Sequence, residues 1–227
     1  MRSLSVLVVL AASFGVQAQP VEGARATVKR VYTLAPPTDD GDPAVGALRR
    51  TEIETYGTDG RRLRVEWRDP DGAVTLAFME LYDGSGSVGS DRPFGAVYFE
   101  GADLDPNLER NEYRPGDAPG TLVKRVTYSG ADGATTSVNE FVLDADGREL
   151  ERRYGNADGV FRGTETISYD GTNQTGYVYE SADGSRRAAY VYRVETVDHR
   201  GNWTSRAVER DGEPRLLETR EIEYAQN

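Results

Sequence analysis

The sequence predicts an all-β protein: an antiparallel meander of serial hairpins forming a large twisted or curved sheet, able to close on itself in part, with one long irregular insertion. Three observations carry this. Ten Asp-Gly dipeptides occur, at Asp40, Asp59, Asp71, Asp83, Asp132, Asp146, Asp158, Asp170, Asp183 and Asp211, where random placement of the same residues would give roughly two. Their spacing is regular, with steps of 12 and 12 residues from Asp59 to Asp83 and of 14, 12, 12 and 13 from Asp132 to Asp183. Between several of them apolar and polar residues alternate, the period of a half-buried strand.

Asp-Gly suits a tight hairpin because both central positions of a type I′ turn need φ > 0, which Gly reaches freely and Asp tolerates. An interval of about 12 residues holds a turn and one strand. It is too short for a turn, a helix and a strand, so the regular turns indicate a meander.

Taken in order, residues 1–18 read as an export signal. Met1-Arg2 gives a positive start, Leu4 to Val16 is almost wholly apolar, and Val16-Gln17-Ala18 offers small residues to a signal peptidase. Cleavage near Ala18 leaves a mature chain that is periplasmic or extracellular. The apolar run falls short of the roughly 20 residues that a helical span needs, and no later stretch supplies them. Residues 19–50 form an N-terminal extended segment and a loop, the loop lying at Ala35-Pro36-Pro37 through Pro43.

Residues 51–84 make an apolar hairpin group. Leu63, Val65 and Trp67 alternate with Arg64, Glu66 and Arg68, and Val74, Leu76 and Phe78 follow the turn at Asp71-Gly72. A two-residue loop pairs Trp67 with Leu76 and Val65 with Phe78, placing both apolar sets on one face. Residues 85–120 read as an irregular insertion, opening with Ser85-Gly86-Ser87 and holding Pro93, Pro106, Pro115 and Pro119, with a short strand at Ala96 to Glu100. Residues 121–227 form a longer C-terminal meander with polar strands, such as Arg148 to Tyr154. Such thin hydrophobicity implies a sheet with one face weakly covered.

Several turns resemble a known family. Tyr56-Gly57-Thr58-Asp59-Gly60-Arg61-Arg62-Leu63, Leu143-Asp144-Ala145-Asp146-Gly147-Arg148-Glu149-Leu150 and Val197-Asp198-His199-Arg200-Gly201-Asn202-Trp203 resemble the tyrosine-aspartate (YD) repeats of RHS-type bacterial surface and secreted proteins. The likeness covers Thr51 to Tyr82 and Val126 to Tyr224 loosely. It implies strand-turn-strand structure, an extracytoplasmic setting and carbohydrate binding.

Composition removes several function classes. The formal charge of −11 argues against nucleic acid as a partner, since phosphate recognition needs a basic surface. The chain has no Cys and one His, His199, so neither disulfides nor a thiolate or His-cluster metal site is expected, and no cofactor is implied. Catalysis by a Ser-His pair would rest on His199, which sits in a turn without a nucleophile elbow. The Asp69-Pro70-Asp71-Gly72 and Asp144-Ala145-Asp146-Gly147 segments open like calcium loops, but the later ligand positions fail, and hairpin turns explain both. An outer-membrane barrel is disfavoured because Glu218, Arg220, Glu221 and Glu223 put charge on both faces of the last strand.

Thirteen Tyr stand against six Phe. Tyr177 and Tyr179 precede the turn at Asp183-Gly184, and Tyr190 and Tyr192 follow it. Two- or four-residue loops put all four on one face, where rings with an apolar body and a polar tip can stack on a ligand. These four and Trp203 are the candidate ligand-binding residues. The leading reading is a non-enzymatic exported β-sheet module that binds a glycan or another envelope protein. The alternative is an envelope lipid carrier or chaperone with a curved sheet. A second alternative is a carboxylate-dependent hydrolase, with Glu100, Asp103, Asp105, Glu109 and Glu112 as candidate acids.

Overall fold

A computed structural model describes residues 24–37, 43–82, 93–100, 107–171 and 173–224. The export signal read at 1–18 and residues 85–92 and 101–106 of the glycine- and proline-rich segment lie outside these residues. The first four strands are β1 (Ala24–Pro37), β2 (Pro43–Tyr56), β3 (Arg62–Arg68) and β4 (Val74–Tyr82). Next come β5 (Pro93–Glu100), β6 (Asn107–Pro115), β7 (Leu122–Ser129), β8 (Thr135–Leu143) and β9 (Glu149–Asn156). The chain continues through β10 (Phe161–Asp170), β11 (Asn173–Ser181), β12 (Arg187–Val197), β13 (Trp203–Arg210) and β14 (Glu213–Tyr224). Every strand is antiparallel to its sequence neighbours, and β1 pairs with β14 from Ala24↔Tyr224 to Thr33↔Leu216, so the sheet is a closed barrel. Closure leaves no unpaired edge at which another chain could add a strand.

The turns differ in kind from the expected type I′ hairpins. Among the described residues only Asp211 combines a side chain with positive φ, at 53°, so Asp211-Gly212 alone follows the expectation. At Asp71, Asp132, Asp146 and Asp158 the following Gly takes the positive φ by itself, between 77° and 88°. The bonding there is Gly72 N to Asp69 O and Asp69 N to Ala73 O, repeated at the other sites, a type I turn closed by a bulged glycine. An Asx acceptor at the turn's first position completes it: Asp144 Oδ1 accepts from the amides of Asp146 at 2.9 Å and Arg148 at 2.8 Å. The bulge restores the expected pairing one residue on, so Trp67↔Leu76 and Val65↔Phe78 are the observed partners.

The 85–120 segment contributes two strands to the barrel. β5 and β6 pair with each other, and β6 runs along β7 from Leu108↔Ser129 to Pro115↔Leu122, so the meander continues and no break divides an N-terminal from a C-terminal sheet. Polar residues at alternate positions hid β6: Glu109 and Asn111 are buried on the inner face, while Arg110 and Glu112 are exposed outside.

Fourteen strands set the chemistry of both faces. A barrel of about eight strands is just filled by side chains, whereas one of about sixteen leaves an aqueous lumen. This barrel lies between, and long Arg, Glu, Lys and Tyr side chains fill most of it. Apolar packing is local: Val126, Tyr128, Phe141 and Leu143 cluster on the inner face of β7 and β8, and Ala24 and Tyr56 pack with Ile222 and Tyr224 near the chain ends. The outer face is charged too. Arg64 and Arg68 flank Glu66 along β3, and Glu140 on β8 gathers Arg114, Arg125 and Arg153 at 3.4 to 3.7 Å.

Candidate functional site: the barrel interior

The inward-facing residues enclose a cavity of about 230 Å³. Its apolar wall is built by β3 and β4, where strand alternation turns Val65, Trp67, Leu76 and Phe78 inward. In the ring order, six strands separate β4 from β11 in either direction, so the tyrosines of β11 and its neighbour β12 stand across the lumen. Tyr177 and Tyr190 are register partners and stack with centroids 4.4 Å apart and an interplanar angle of 13°. Tyr192 follows at 6.3 Å from Tyr177. All three line the cavity. Their hydroxyls make no hydrogen bond to any described residue, so three polar tips face the lumen unengaged.

Six cationic and six anionic side chains line the same cavity. Lys29 Nζ lies 2.6 Å from Glu52 and 3.8 Å from Glu218, and Arg206 contacts Glu218 at 2.6 Å. Burial alone would raise the Glu218 carboxyl, but Lys29 and Arg206 outweigh it and hold the pKa at about 2. On β9 and β10, Arg152 bridges Glu149 at 2.6 Å and Glu165 at 3.1 Å, and Tyr154 donates to Glu165 at 2.8 Å. Desolvation wins there, and the Glu165 carboxyl is raised despite Arg152. Arg62 joins Glu80 at 2.6 Å and Glu54 at 3.4 Å. Lys124 reaches only to 3.7 Å from Glu109, whose carboxyl burial pushes up. Ion pairs this deep contribute little net stability, yet each partner becomes costly if left alone.

The predicted site residues fare unequally. Tyr177, Tyr179, Tyr190 and Tyr192 share one face, as the four-residue loop at Ala182 to Ser185 requires, but that face is the barrel interior and not an exposed sheet. Tyr179 packs over Gly163, where its ring occupies the space a Cβ would need. Trp203 is 9% exposed and held between the guanidinium groups of Arg206 and Arg220, 4.2 and 4.1 Å from the ring centre, so it is a core residue and no open platform. Of the candidate acids, Glu109 lines the cavity and Glu112 is exposed beside Arg110. The side chain of Glu100 and residues Asp103 and Asp105 lie outside the described structure. His199 sits edge-on to Tyr224 at 5.6 Å, in the turn before β13. Among the described residues no cluster of His, Asp and Glu has the arrangement of a metal site.

Sequence reasoning missed the charged wall of Lys29, Glu52, Arg206 and Glu218. These residues come from both ends of the chain and meet only through closure of β1 on β14, so no local spacing signals them.

No protein-family model matches the chain, and no curated protein matches it. Solved structures align with the chain at low identity. A porin-like protein from Bacteroides uniformis aligns over 88% of this chain and 98% of its own, at 11% identity and a TM-score of 0.47. A porin-like protein from Bacteroides vulgatus aligns over 87% and 98%, at 12% identity and a TM-score of 0.43. A LolA superfamily protein from Nitrosomonas europaea aligns over 91% and 88%, at 9% identity and a TM-score of 0.32.

Proposed function

We propose that the protein is an exported carrier: a water-facing β-barrel that takes a small molecule into its interior and holds it between the β3–β4 wall and the β11–β12 tyrosines. One observation carries this reading. The cavity of about 230 Å³ is lined on one side by Trp67 and Phe78 and on the other by three tyrosine hydroxyls without a hydrogen-bond partner among the described residues. An engineered apolar cavity of about 150 Å³ already binds benzene, so a one- or two-ring ligand fits here, and the hydroxyls offer the few placed polar groups that fix a ligand's orientation. A glycan remains a ligand of suitable size for one ring, provided it enters the barrel instead of resting on an outer face.

The outer surface supports work in water. A membrane barrel needs an outward apolar band about 25 Å tall, and here Glu66, Glu140 and their arginines interrupt it. Residues 1–18 supply the export signal.

The test is direct titration of the chain comprising residues 19–227 with 2-naphthol, a neutral two-ring probe, followed by tryptophan quenching and calorimetry. Saturable one-to-one binding, abolished by filling the lumen with Val208→Trp while the fold persists by circular dichroism, is the expected result. Absence of saturable binding by neutral, anionic and cationic naphthalene probes alike would overturn the carrier reading.

A further inference from the structure

Cations and carboxylates are matched around the lumen. Each of the six lining cations lies within ion-pair distance of a lining carboxylate, and each of the six lining carboxylates has a cation. The pairs share members. Glu52 accepts from Lys29 at 2.6 Å and Arg50 at 2.5 Å, Glu218 joins Lys29 to Arg206, and Arg152 joins Glu149 to Glu165. The loosest pair is Lys124 with Glu109 at 3.7 Å, and burial pushes that carboxyl up, towards its neutral form. Ring faces shield two of the cations further: Arg50 stands 4.6 Å over Trp67 and Arg206 3.9 Å over Tyr192. Arg220, with no described carboxylate in ion-pair distance, does not line the cavity. Its Nε donates to the Trp203 carbonyl at 3.1 Å, and its guanidinium lies 4.1 Å from the centre of the Trp203 ring.

A charged guest therefore meets no free counter-charge among the described lining residues. It would break a pair and leave one partner buried alone, or lie unmatched itself, and both are costly away from water.

What the lining leaves open is neutral. The hydroxyls of Tyr177, Tyr190 and Tyr192 border the cavity and have no hydrogen-bond partner among the described residues. Burial first, then the neighbouring Tyr192 and Glu165, push the Tyr177 hydroxyl up, and burial does the same at Tyr192, so both keep their protons at neutral pH. A phenolic hydroxyl both donates and accepts, which suits an alcohol, phenol or carbonyl oxygen. The ring faces of Trp67 and Phe78 across the lumen suit the flat apolar body that carries such a group.

We infer that the cargo is an uncharged ring compound bearing a hydroxyl or carbonyl oxygen, its oxygen set among the hydroxyls of Tyr177, Tyr190 and Tyr192 and its ring against Trp67 and Phe78. This rests on the carrier reading and adds the charge and the polar group of the cargo.

The test titrates the chain comprising residues 19–227 at pH 7 with four probes of one ring system, followed by tryptophan quenching. They are 2-naphthol, 2-methylnaphthalene, naphthalene-2-sulfonate and 2-naphthylmethylammonium. 2-Naphthol is expected to bind at least about 10-fold more tightly than either ion, since each ion leaves a charge unmatched. It should exceed 2-methylnaphthalene by about 3- to 10-fold, the scale of one hydrogen bond. Combining Tyr177→Phe, Tyr190→Phe and Tyr192→Phe should bring these two neutral probes to within about 2-fold of each other with the Tm unchanged, because none of the three hydroxyls is bonded within the protein. If the triple variant fails to fold, the three single variants replace it, and at least one must reduce the margin. If either ion or 2-methylnaphthalene binds as tightly as 2-naphthol, or the margin survives the substitutions, the inference falls and the carrier reading stands. If no probe binds, both fall.

Discussion

Replacing Glu218 by Gln tests the charged wall most directly. The carboxylate accepts from Arg206 through Nε at 2.7 Å and Nη2 at 2.6 Å, and Lys29 lies 3.8 Å away. A carboxyl held at about 2 instead of its ordinary 4.5 reflects about 3 kcal/mol of folded-state stabilisation at neutral pH. Deleting one member of a buried ion pair costs about 3–5 kcal/mol by an independent route, so the two figures agree. After substitution, Lys29 and Arg50 keep Glu52, and Arg206 loses its ion-pair partner. Urea unfolding at pH 7 should show a loss of about 3 kcal/mol with an unchanged m-value. The sign in acid follows from the depressed pKa. Stability from Glu218 is complete above its ordinary pKa and is lost as the pH falls from about 4.5 to about 2. The native protein should weaken through that window, and Glu218→Gln should lose this share of the slope. A loss below about 1 kcal/mol at pH 7, or an unchanged acid slope, would refute the account of the wall.

Arg220→Met should stabilise the empty barrel, since relief from an unmatched buried charge exceeds the loss of the Trp203 carbonyl bond and the ring contact. A gain of about 1 kcal/mol, read as a Tm increase of about 2–4 °C, is expected. Gly163→Ala places a Cβ 2.6 to 2.9 Å from the Tyr179 ring and hydroxyl, which should cost about 1–3 kcal/mol by overpacking, with part recovered in the double variant carrying Tyr179→Leu. Asp144→Ala removes the acceptor for two turn amides and for Arg148 Nε at 2.5 Å, and denaturant unfolding should show a loss of about 1 kcal/mol.

Much of the meander was legible because turn chemistry is local. The Asp-Gly positions announce hairpins, and the alternation at Leu63 to Phe78 fixes both register and the inward face. The turn type was not legible from the dipeptide alone, since Asp-Gly serves both a type I′ turn and a type I turn with a bulged glycine. The acceptor two residues earlier, Asp69 or Asp144, distinguishes them. β6 escaped notice because Glu109 and Asn111 sit where a buried apolar residue is the usual signal. The tyrosine face was found as a set, whereas its inward direction was not, because nothing local tells which of two polar faces encloses a lumen.

That ambiguity has a physical origin in the number of strands. A fourteen-stranded ring is too wide for Val and Leu to meet across its axis, so a dry core would collapse the sheet or leave a large void. Long side chains solve the filling problem, and Arg and Glu in pairs solve the charge problem that follows. The consequence is a strand such as β14, with Glu218 and Arg220 inside and Glu221 and Glu223 outside, whose sequence carries no hydrophobic period. The inner pairs are held in place by one another more than by burial. Where ion pairing is incomplete, at Arg220, an indole takes the place of the carboxylate: the guanidinium lies 4.1 Å over the Trp203 ring and donates to the Trp203 carbonyl, so an aromatic face and a backbone oxygen do the work of the missing partner.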